Sequence, residues 1–325
     1  MRIGVHLERW STRRPFHIAG KSWGHFESVV VELERNGVVG RGEALGVFYL
    51  GETAELLLAQ ITQYAERTGE SFDRTRLQSS MPPGGARNAL DCALWDLEAK
   101  SADRSVFELA GVQPKPLETV FTIGIEGSPQ EMGARAAGAC GFDLLKIKLD
   151  GREPAARLEA IRNARPDARI VIDANQSWSF DQLMALAPIC AELGILMIEQ
   201  PLRRGHDTAL DGYDCPVPLC ADESCLHLSE LDHTVGRYRW VNIKLDKAGG
   251  LTHALTMAER ARDLGLKIMV GNMGGSSLAM APAFVLGSLA DLIDIDGPLL
   301  QRFDRLPGLV YRGGWVSPFG SQLWG

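Results

Sequence analysis

Charged residues recur at a regular interval along the second half of the chain, each at the end of a short apolar run. Lys148 ends one run, and later runs end in turn at Asp173, Glu199, Asp222 and Lys244, with intervals of 22 to 26 residues. A β-strand with its returning helix and two loops takes roughly 20 to 30 residues. The interval therefore predicts one charged residue at the end of each strand in a series of βα units.

Three more apolar runs extend the series to a full ring of strands. ETVFTIGI lies upstream, and LKIMVGNMGG and DLIDIDGP lie downstream, which makes eight strands in all. Eight βα units predict an α/β barrel, whose active site lies at the carboxyl ends of its strands. Strands four apart lie opposite one another in a closed ring, so Lys148 on strand two should face Lys244 on strand six.

Three carboxylates occupy the strand ends between these two lysines. Asp173, Glu199 and Asp222 follow strands three, four and five, so all three should converge at the mouth of the barrel. Converging carboxylates repel each other unless a cation lies between them, and Mg²⁺ prefers oxygen ligands of this kind. The pattern predicts a Mg²⁺ site formed by these three residues.

The N-terminal part has a different pattern. Apolar runs at residues 28–34 and 38–44 flank Asn36-Gly37, which is a strong hairpin signal. Helical periodicity follows at residues 52–67 and 85–100. We interpret Gly40 and Gly42, along with Gly46, as turn glycines, because their spacing does not match a dinucleotide-binding loop.

The segments KIK, DANQSW, EQP, ADES and NIKLDKAGG, in this order and spacing, closely resemble the enolase superfamily and specifically its muconate-lactonizing subgroup. The resemblance covers essentially the whole chain. It implies an α/β fold, a (β/α)7β TIM-like barrel with an α+β capping domain formed by the N-terminal part and the C-terminal tail. We expect the cap at residues 1–115, the barrel at 116–297 and the tail at 298–325, with Pro114-Lys115-Pro116 at the first boundary.

The same resemblance implies removal of a proton next to a carboxylate that is bound to Mg²⁺. Lys148 and Lys244 would then act as acid and base on opposite faces of the α-carbon, and Lys146 would be an auxiliary cation. Such a pair can invert a stereocentre, but related enzymes use it for elimination and cycloisomerisation as well. The two lysines therefore indicate α-proton chemistry without selecting its outcome.

Two acids on strand eight favour one outcome. Asp294 and Asp296 share one side of the strand, opposite the metal ligands and too far away to join them. They suit a substrate ammonium group, and an Asp-x-Asp at this place resembles that of dipeptide epimerases. The competing interpretation is that one aspartate caps the following turn.

Other functions remain open at this point. N-acylamino acid racemases and o-succinylbenzoate synthases of the same subgroup act on substrates without a free ammonium, so they would not need Asp294 and Asp296. A catalytically silent, ligand-binding barrel would have lost a metal ligand or a lysine, whereas all are present.

The cap should contact the substrate side chain and determine specificity through the loop at residues 16–26. Where this loop has Lys21, the Ala–Glu type of epimerase has an arginine; a lysine keeps the charge but loses the bidentate geometry. Asn272 and Met273, after strand seven, also depart from the sequences common in that type. These positions are candidate substrate-binding residues that leave the preferred dipeptide open.

Composition limits the remaining possibilities. The chain has 325 residues, of which 45% are hydrophobic and 23% charged, and its net charge of −7 argues against a nucleic acid partner. There is no signal-peptide pattern and no apolar run long enough for a membrane span. The six cysteines are expected to be reduced core thiols, and Cys215, Cys220, Cys225 and His227 match no common metal spacing. We expect a cytoplasmic enzyme that forms a homo-oligomer.

Two further lysines are predicted to lie away from the site. Lys267 should open strand seven at the far end of the barrel, and Lys247 should lie in a loop beyond strand six. We predict no role in the site for either residue.

Overall fold

The N-terminal part opens with a long antiparallel sheet in the computed structural model, which describes residues 1–69 and 72–325. Strands β1 (Arg2–Ile18), β2 (Lys21–Arg35) and β3 (Val38–Ala44) lie side by side in chain order. Asn36 and Gly37 both have positive φ, as a two-residue hairpin requires, so the predicted hairpin is confirmed. The predicted loop at residues 16–26 is instead the tip of the β1–β2 hairpin.

Helices cover one face of this sheet. Thr53 and Asp73 cap the first two helices by accepting hydrogen bonds from backbone amides three residues ahead. The third helix is buried along most of its length, because it lies between the sheet and the rest of the protein. The helices are α1 (Ala54–Thr68), α2 (Arg74–Ser80), α3 (Gly85–Ala102) and α4 (Val106–Leu109).

Gly40 and Gly42 are strand residues, so their interpretation as turn glycines was wrong. Both lie in β3, where the strand packs directly on the backbone of α3. A Cβ atom at Gly42 would overlap the carbonyl oxygen of Ala89 and lie 2.7 Å from the amide nitrogen of Ala93. The absence of side chains therefore lets the sheet and helix approach each other closely.

After a short strand β4 (Leu117–Glu118), the chain forms a parallel sheet whose strands follow one another in sequence order. In the described residues it contains the eight predicted strands, and a hydrogen bond from Val120 N to Ile293 O (2.9 Å) links its first and last strands. The barrel prediction is confirmed. The strands are β5 (Phe121–Ile123), β6 (Leu144–Lys148), β7 (Arg169–Asp173), β8 (Ile195–Glu199), β9 (Leu219–Ala221), β10 (Trp240–Lys244), β11 (Lys267–Gly271) and β12 (Leu292–Ile293).

The connections that return along the outside of the barrel are mostly α-helical. After β8 and β9 the chain forms 3₁₀ turns instead, at Asp207–Leu210 and Leu228–Thr234. The helices of this part are α5 (Pro129–Ala137), α6 (Pro154–Ala164), α7 (Phe180–Glu192), α8 (Leu245–Ala248), α9 (Leu251–Asp263), α10 (Ser277–Gly287) and α11 (Gly297–Leu300).

The interior of the barrel is apolar at one end and charged at the other. A cluster of buried side chains that includes Val171, Met197 and Met269 fills the end where the strands begin. The charged residues lie where the strands end. The sequence shows this separation in the strands that end at Lys148, Asp173, Glu199 and Lys244, where apolar residues precede the charged one.

The end of the chain contacts both parts of the protein. Strand β13 (Tyr311–Arg312) pairs with β14 (Trp315–Val316), and β14 pairs in turn with β4. The indole of Trp324 is fully buried and donates to the backbone oxygens of Arg41 (3.0 Å) and Cys92 (3.1 Å) in the cap. The proposed domain limits at residues 115 and 297 stay a prediction.

Two further features concern the chain's chemistry. All six cysteines are free thiols. Within residues 1–69 and 72–325, none of the helices has the length and apolar character needed to cross a lipid bilayer.

Replacing Gly42 with alanine should destabilise the protein, because the new methyl group must displace the backbone of α3. We expect a loss of at least about 2 kcal/mol in the free energy of unfolding, measured with urea. Gly24→Ala is the matched control, since Gly24 also lies in a strand but has no atom within 4 Å of the place that a Cβ atom would take. The control should change stability by less than about 0.5 kcal/mol, and equal effects of the two substitutions would contradict the packing argument.

Candidate active site

Lys146 lies against three carboxylates at the mouth of the barrel. Its side chain is 1% exposed, and its Nζ lies 2.7 Å from Glu199 Oε2, 2.8 Å from Asp294 Oδ2 and 3.3 Å from Asp173 Oδ2. Burial alone would lower the pKa of Lys146, but these carboxylates outweigh burial and raise it well above its usual value. Lys146 is therefore a fixed positive charge among three acids.

Lys148 and Lys244 line the same cavity, as their strand positions predict. Lys148 Nζ donates to Asp173 Oδ2 (2.6 Å), and Lys244 Nζ donates to Asp222 Oδ2 (2.7 Å). Burial lowers the pKa of Lys244, but Asp222 and Glu199 raise it above its usual value. Strands β6 and β10 are four apart in the sheet, so the two ammonium groups approach the cavity from opposite walls.

The predicted metal ligands Asp173, Glu199 and Asp222 are fully buried on neighbouring strand ends. Burial raises the pKa of Glu199, and Asp173 raises it further. Burial also raises the pKa of Asp173 and Asp222, but neighbouring lysines outweigh it and lower both values. The three acids are thus close enough to interact through their charges.

In the part of the chain that the structure describes, no three His, Cys, Asp or Glu side chains are arranged to hold a metal ion. The ammonium groups of Lys146, Lys148 and Lys244 lie against the three carboxylates instead. The donor set still fits Mg²⁺ in its chemistry, since it consists of hard, buried carboxylate oxygens that already attract cations. A metal ion would have to replace some of these ammonium contacts.

The strand-eight acids lie closer to this cluster than predicted. Asp294 shares the ammonium of Lys146 with Glu199, so the expectation that it lies far from the metal ligands was wrong. The error arose because strand order gives the angular position of a side chain but not the reach of a lysine across a narrow barrel. Asn272 Nδ2 also donates to Asp294 O (2.7 Å) and Oδ1 (3.1 Å).

Asp296 is fully buried and lines the cavity beside Asp294. Its Oδ2 accepts a hydrogen bond from Thr122 N (2.6 Å), and it precedes α11 without capping it in the described chain. Burial, together with the charge of Asp294, raises the pKa of Asp296 to about 8. A cationic ligand beside Asp296 would lower this pKa, because a nearby positive charge favours the ionised form of the carboxyl group.

Aromatic side chains from the cap form the roof of the cavity. Phe16, Trp23 and Phe48 line it, and Met273 lines it from the barrel side. Lys21 is exposed and lies behind this wall, with its Nζ 4.7 Å from the ring centre of Phe48 and 5.4 Å from that of Trp23. Lys21 therefore packs on the aromatic wall of the cavity without being one of the described residues that line it.

Lys247 does not lie in a loop, so the prediction that placed it in a loop beyond strand six was wrong. It belongs to α8, is fully buried, and its Nζ donates to Asp222 Oδ1 (2.7 Å), Asp222 O (2.7 Å), Asn242 O (2.8 Å) and Cys225 O (3.0 Å). Its position three residues after Lys244, in a helical turn, was the signal that could have placed it here. Lys267 opens β11, as predicted, and it is exposed with its Nζ 5.1 Å from the ring centre of Trp240.

Glu223 was also missed, although it follows Asp222 directly. Its side chain is buried and lines the cavity, and in the described residues its Oε2 has no hydrogen-bond partner. Burial, with the charges of Asp222 and Asp173, raises the pKa of Glu223 to about 8.

The protein has an eight-stranded barrel with a cap, in which three adjacent strands carry carboxylates at the mouth and the strands on either side carry lysines. Residues 2–111 match the mandelate racemase/muconate lactonizing enzyme N-terminal domain, and residues 131–303 match the enolase C-terminal domain-like family. The chain belongs to the enolase superfamily, which confirms the resemblance noted in its motifs.

Individual relatives are similar over nearly the whole chain. The L-Ala-D/L-Glu epimerase of Escherichia coli is 41% identical over 315 residues, covering 96% of this chain and 98% of that protein. The N-acetyl-D-glutamate racemase of a Pseudoalteromonas species is 44% identical over 254 residues, covering 78% and 80% of the two chains. A crystal structure of an enolase family member from Agrobacterium tumefaciens with homology to dipeptide epimerases, bound to sodium and L-Ala-L-Glu, has a TM-score of 0.97, 42% identity and 99% coverage of both chains.

Lys247→Met should destabilise the protein strongly, because it leaves a buried carboxylate and several carbonyl groups without their donor. Breaking a buried ion pair from one side typically costs about 3 to 5 kcal/mol, and we expect a loss in this range from urea unfolding. The matched control is Lys267→Met, which removes an exposed ammonium from the opposite end of the barrel. A Lys247→Met protein as stable as this control would show that the buried ammonium contributes little.

Proposed function

We propose that this protein is an isomerase that epimerises dipeptides at the α-carbon of their C-terminal residue, with Mg²⁺ as cofactor. The observation that carries the proposal is the placement of Lys148 and Lys244 on opposite walls of one cavity. The relative with bound L-Ala-L-Glu supports the substrate class, and a relative from Enterococcus faecalis bound to Mg and L-Leu-L-Tyr supports the metal.

The two lysines would perform the proton transfer. One lysine, in its neutral amine form, removes the α-proton, and the C–H electron pair moves towards the carboxylate. The opposite lysine then delivers a proton to the other face of the α-carbon. Each lysine lies against a candidate metal ligand, Lys148 against Asp173 and Lys244 against Asp222, so both bases would lie next to the carboxylate that the metal binds. Inversion follows because the proton leaves from one face and returns to the other.

Asp173, Glu199 and Asp222 are the residues that would hold Mg²⁺. The bound ion supplies positive charge that stabilises the substrate carboxylate as negative charge builds up on it. Asn242 Nδ2 donates to Glu199 Oε1 (2.7 Å) and Lys247 donates to Asp222 Oδ1, so two of the ligands are oriented by neighbouring donors. Lys146, with its raised pKa, would serve as a permanent cation beside them.

The opposite end of the substrate would lie at Asp294 and Asp296. Burying an unpaired ammonium costs several kcal/mol, and a carboxylate partner offsets this cost. Asp294 is already paired with the ammonium of Lys146, whereas Asp296 bonds the backbone amide and side chain of Thr122 and lies beside Asp294. Asp296 is therefore the stronger candidate for the ammonium contact, and Lys21, behind the aromatic wall, is a candidate for contact with an acidic side chain.

A second candidate function is racemisation of an N-acylated amino acid. It is favoured by the 44% identity to the N-acetyl-D-glutamate racemase, whose substrate has an amide in place of an ammonium. The buried acid pair at Asp294 and Asp296 weighs against it, because a neutral amide does not need two carboxyl groups. An o-succinylbenzoate synthase activity is disfavoured for the same reason.

We also propose a cytoplasmic location and a homo-oligomeric state. The six free thiols support a reducing compartment. The oligomeric state stays a prediction from the sequence.

Lys148→Ala and Lys244→Ala should each retain exchange from only one configuration. We expect the first variant to lose deuterium incorporation in D₂O from one epimer of Ala-Glu and the second to lose it from the other, because each lysine faces one side of the α-carbon. Proton NMR of the C-terminal residue measures this, and both variants should lose net epimerisation. EDTA-treated wild type is the control without metal. Epimerisation by both variants, or full activity in EDTA, would refute the mechanism.

Asp296→Asn should separate the two candidate functions. Asparagine keeps an oxygen for the amide of Thr122 but removes the charge that would hold an ammonium. We expect kcat/KM for L-Ala-L-Glu to fall at least about tenfold, which corresponds to about 1.4 kcal/mol. N-acetyl-L-glutamate, with no ammonium, should be a poor substrate for wild type and lose little further. Faster turnover of N-acetyl-glutamate than of any free dipeptide by wild type would establish the second function instead.

A further inference from the structure

Tyr49 enters the candidate active site from the cap. It lies in a 3₁₀ turn, Phe48–Leu50, whose preceding residues are fixed to the barrel: Asp246 Oδ1, two residues after Lys244, accepts hydrogen bonds from Leu45 N (3.1 Å) and Gly46 N (2.8 Å). The ring of Tyr49 packs edge-on against Phe48, with 5.1 Å between ring centres. The position of this ring is therefore set by the same chain segment that carries Lys244.

The hydroxyl group of Tyr49 is buried without a hydrogen-bond partner among the residues described. Burying a hydroxyl without a partner is unfavourable, so native structures usually provide one. Burial raises the pKa of Tyr49 far above its usual value, and the charges of Asp222 and Glu223 raise it further. The hydroxyl therefore keeps its proton and is a neutral donor facing the cavity.

The acids around this hydroxyl are largely occupied by other donors. Lys244 and Lys247 take the two side-chain oxygens of Asp222, and Lys146 and Asn242 lie against those of Glu199. The nearby cation Arg204 is itself paired with Glu230 and donates to Glu223 O (2.6 Å). Glu223 Oε2 is also buried without a partner among the residues described, so Tyr49 does not donate to this nearby acid either. The acceptor that suits Tyr49 is thus an oxygen that arrives with the ligand, at the end of the cavity where the candidate metal ligands lie.

We propose that Tyr49 donates a hydrogen bond to the α-carboxylate of the substrate's C-terminal residue and is a catalytic residue of this site. The inference rests on the proposed function and adds to it a substrate contact made by the cap. The hydroxyl would contact the α-carboxylate, which is the substrate group whose charge changes most during the reaction.

The contact should strengthen as the reaction proceeds. When a lysine takes the α-proton, the C–H electron pair forms the carbon–carbon double bond of an enediolate, and the carboxylate oxygens gain one negative charge. A donor aimed at these oxygens stabilises the charged state more than the ground state, and such a difference raises kcat. Tyr49 would thereby make proton removal depend on the cap being in place.

Tyr49→Phe removes only the hydroxyl group and keeps the ring in its aromatic packing. We expect kcat to fall about tenfold with a smaller change in KM, for L-Ala-L-Glu and L-Ala-L-Met alike, because both share the α-carboxylate. The affinity for Mg²⁺ alone, measured by calorimetry, should stay unchanged. Tyr64→Phe is the matched control: its hydroxyl bonds Ser80 inside the cap (2.9 Å), and its loss should leave both kinetic constants unchanged.

A binding measurement tests the contact without catalysis. The dipeptide of L-alanine and α-aminoisobutyrate has an α-carboxylate but no α-proton, and Tyr49→Phe should bind it about threefold more weakly than wild type in the presence of Mg²⁺. If the wild-type protein failed to epimerise dipeptides, the proposed function would be rejected. The binding measurement would still test whether Tyr49 contacts the α-carboxylate.

Three results would overturn the inference. Unchanged binding and unchanged kcat in Tyr49→Phe would mean that the hydroxyl does not contact the substrate. A loss confined to L-Ala-L-Glu would mean that it contacts the side chain and not the α-carboxylate. A parallel loss of Mg²⁺ affinity would mean that it acts through the metal ligands.

Discussion

The ammonium of Lys146, shared by Asp173, Glu199 and Asp294, is the interaction on which the site depends. Several carboxylates buried at one end of a barrel would be strongly unfavourable without compensating cations. Lys146 supplies one such charge from below, and Lys247 supplies another beside Asp222. Lys146 and Lys247 thus compensate part of the buried negative charge. Lys148 and Lys244 lie at the surface of the cavity, where they can exchange protons with a substrate.

Much of this arrangement could be predicted from the sequence, because the period of the βα unit determines which residues end the strands. This period assigned five residues to successive strand ends before any contact was known: Lys148, Asp173, Glu199, Asp222 and Lys244. The same reasoning failed for Lys247 and misplaced Asp294. A strand register gives the direction of a side chain, whereas these two errors concern how far a side chain reaches and which acceptor it meets. Gly42 was misinterpreted for a related reason, since only the packing of α3 on β3 reveals its purpose.

The cap and the barrel are joined through polar contacts at the edges of the cavity. Asp246 in α8 binds the backbone of Leu45 and Gly46, while Glu43 of β3 accepts a hydrogen bond from Ser276 N (3.0 Å) at the start of α10. These contacts connect the segment that carries Tyr49 to the elements that follow β10 and β11. The aromatic roof of the cavity is therefore positioned in part by the helix that follows β10, the strand that carries Lys244, so the roof and this candidate base depend on each other geometrically.

The burial of Trp324 against the backbones of Arg41 and Cys92 has a consequence for the opening of the cap. The indole belongs to the segment that follows the barrel, yet its hydrogen bonds go to β3 and α3 of the cap. Separating the cap from this segment would expose a large, fully buried aromatic side chain and leave its N–H group without these acceptors. The segment after the barrel therefore acts as a clasp that makes local opening of the cap costly in free energy.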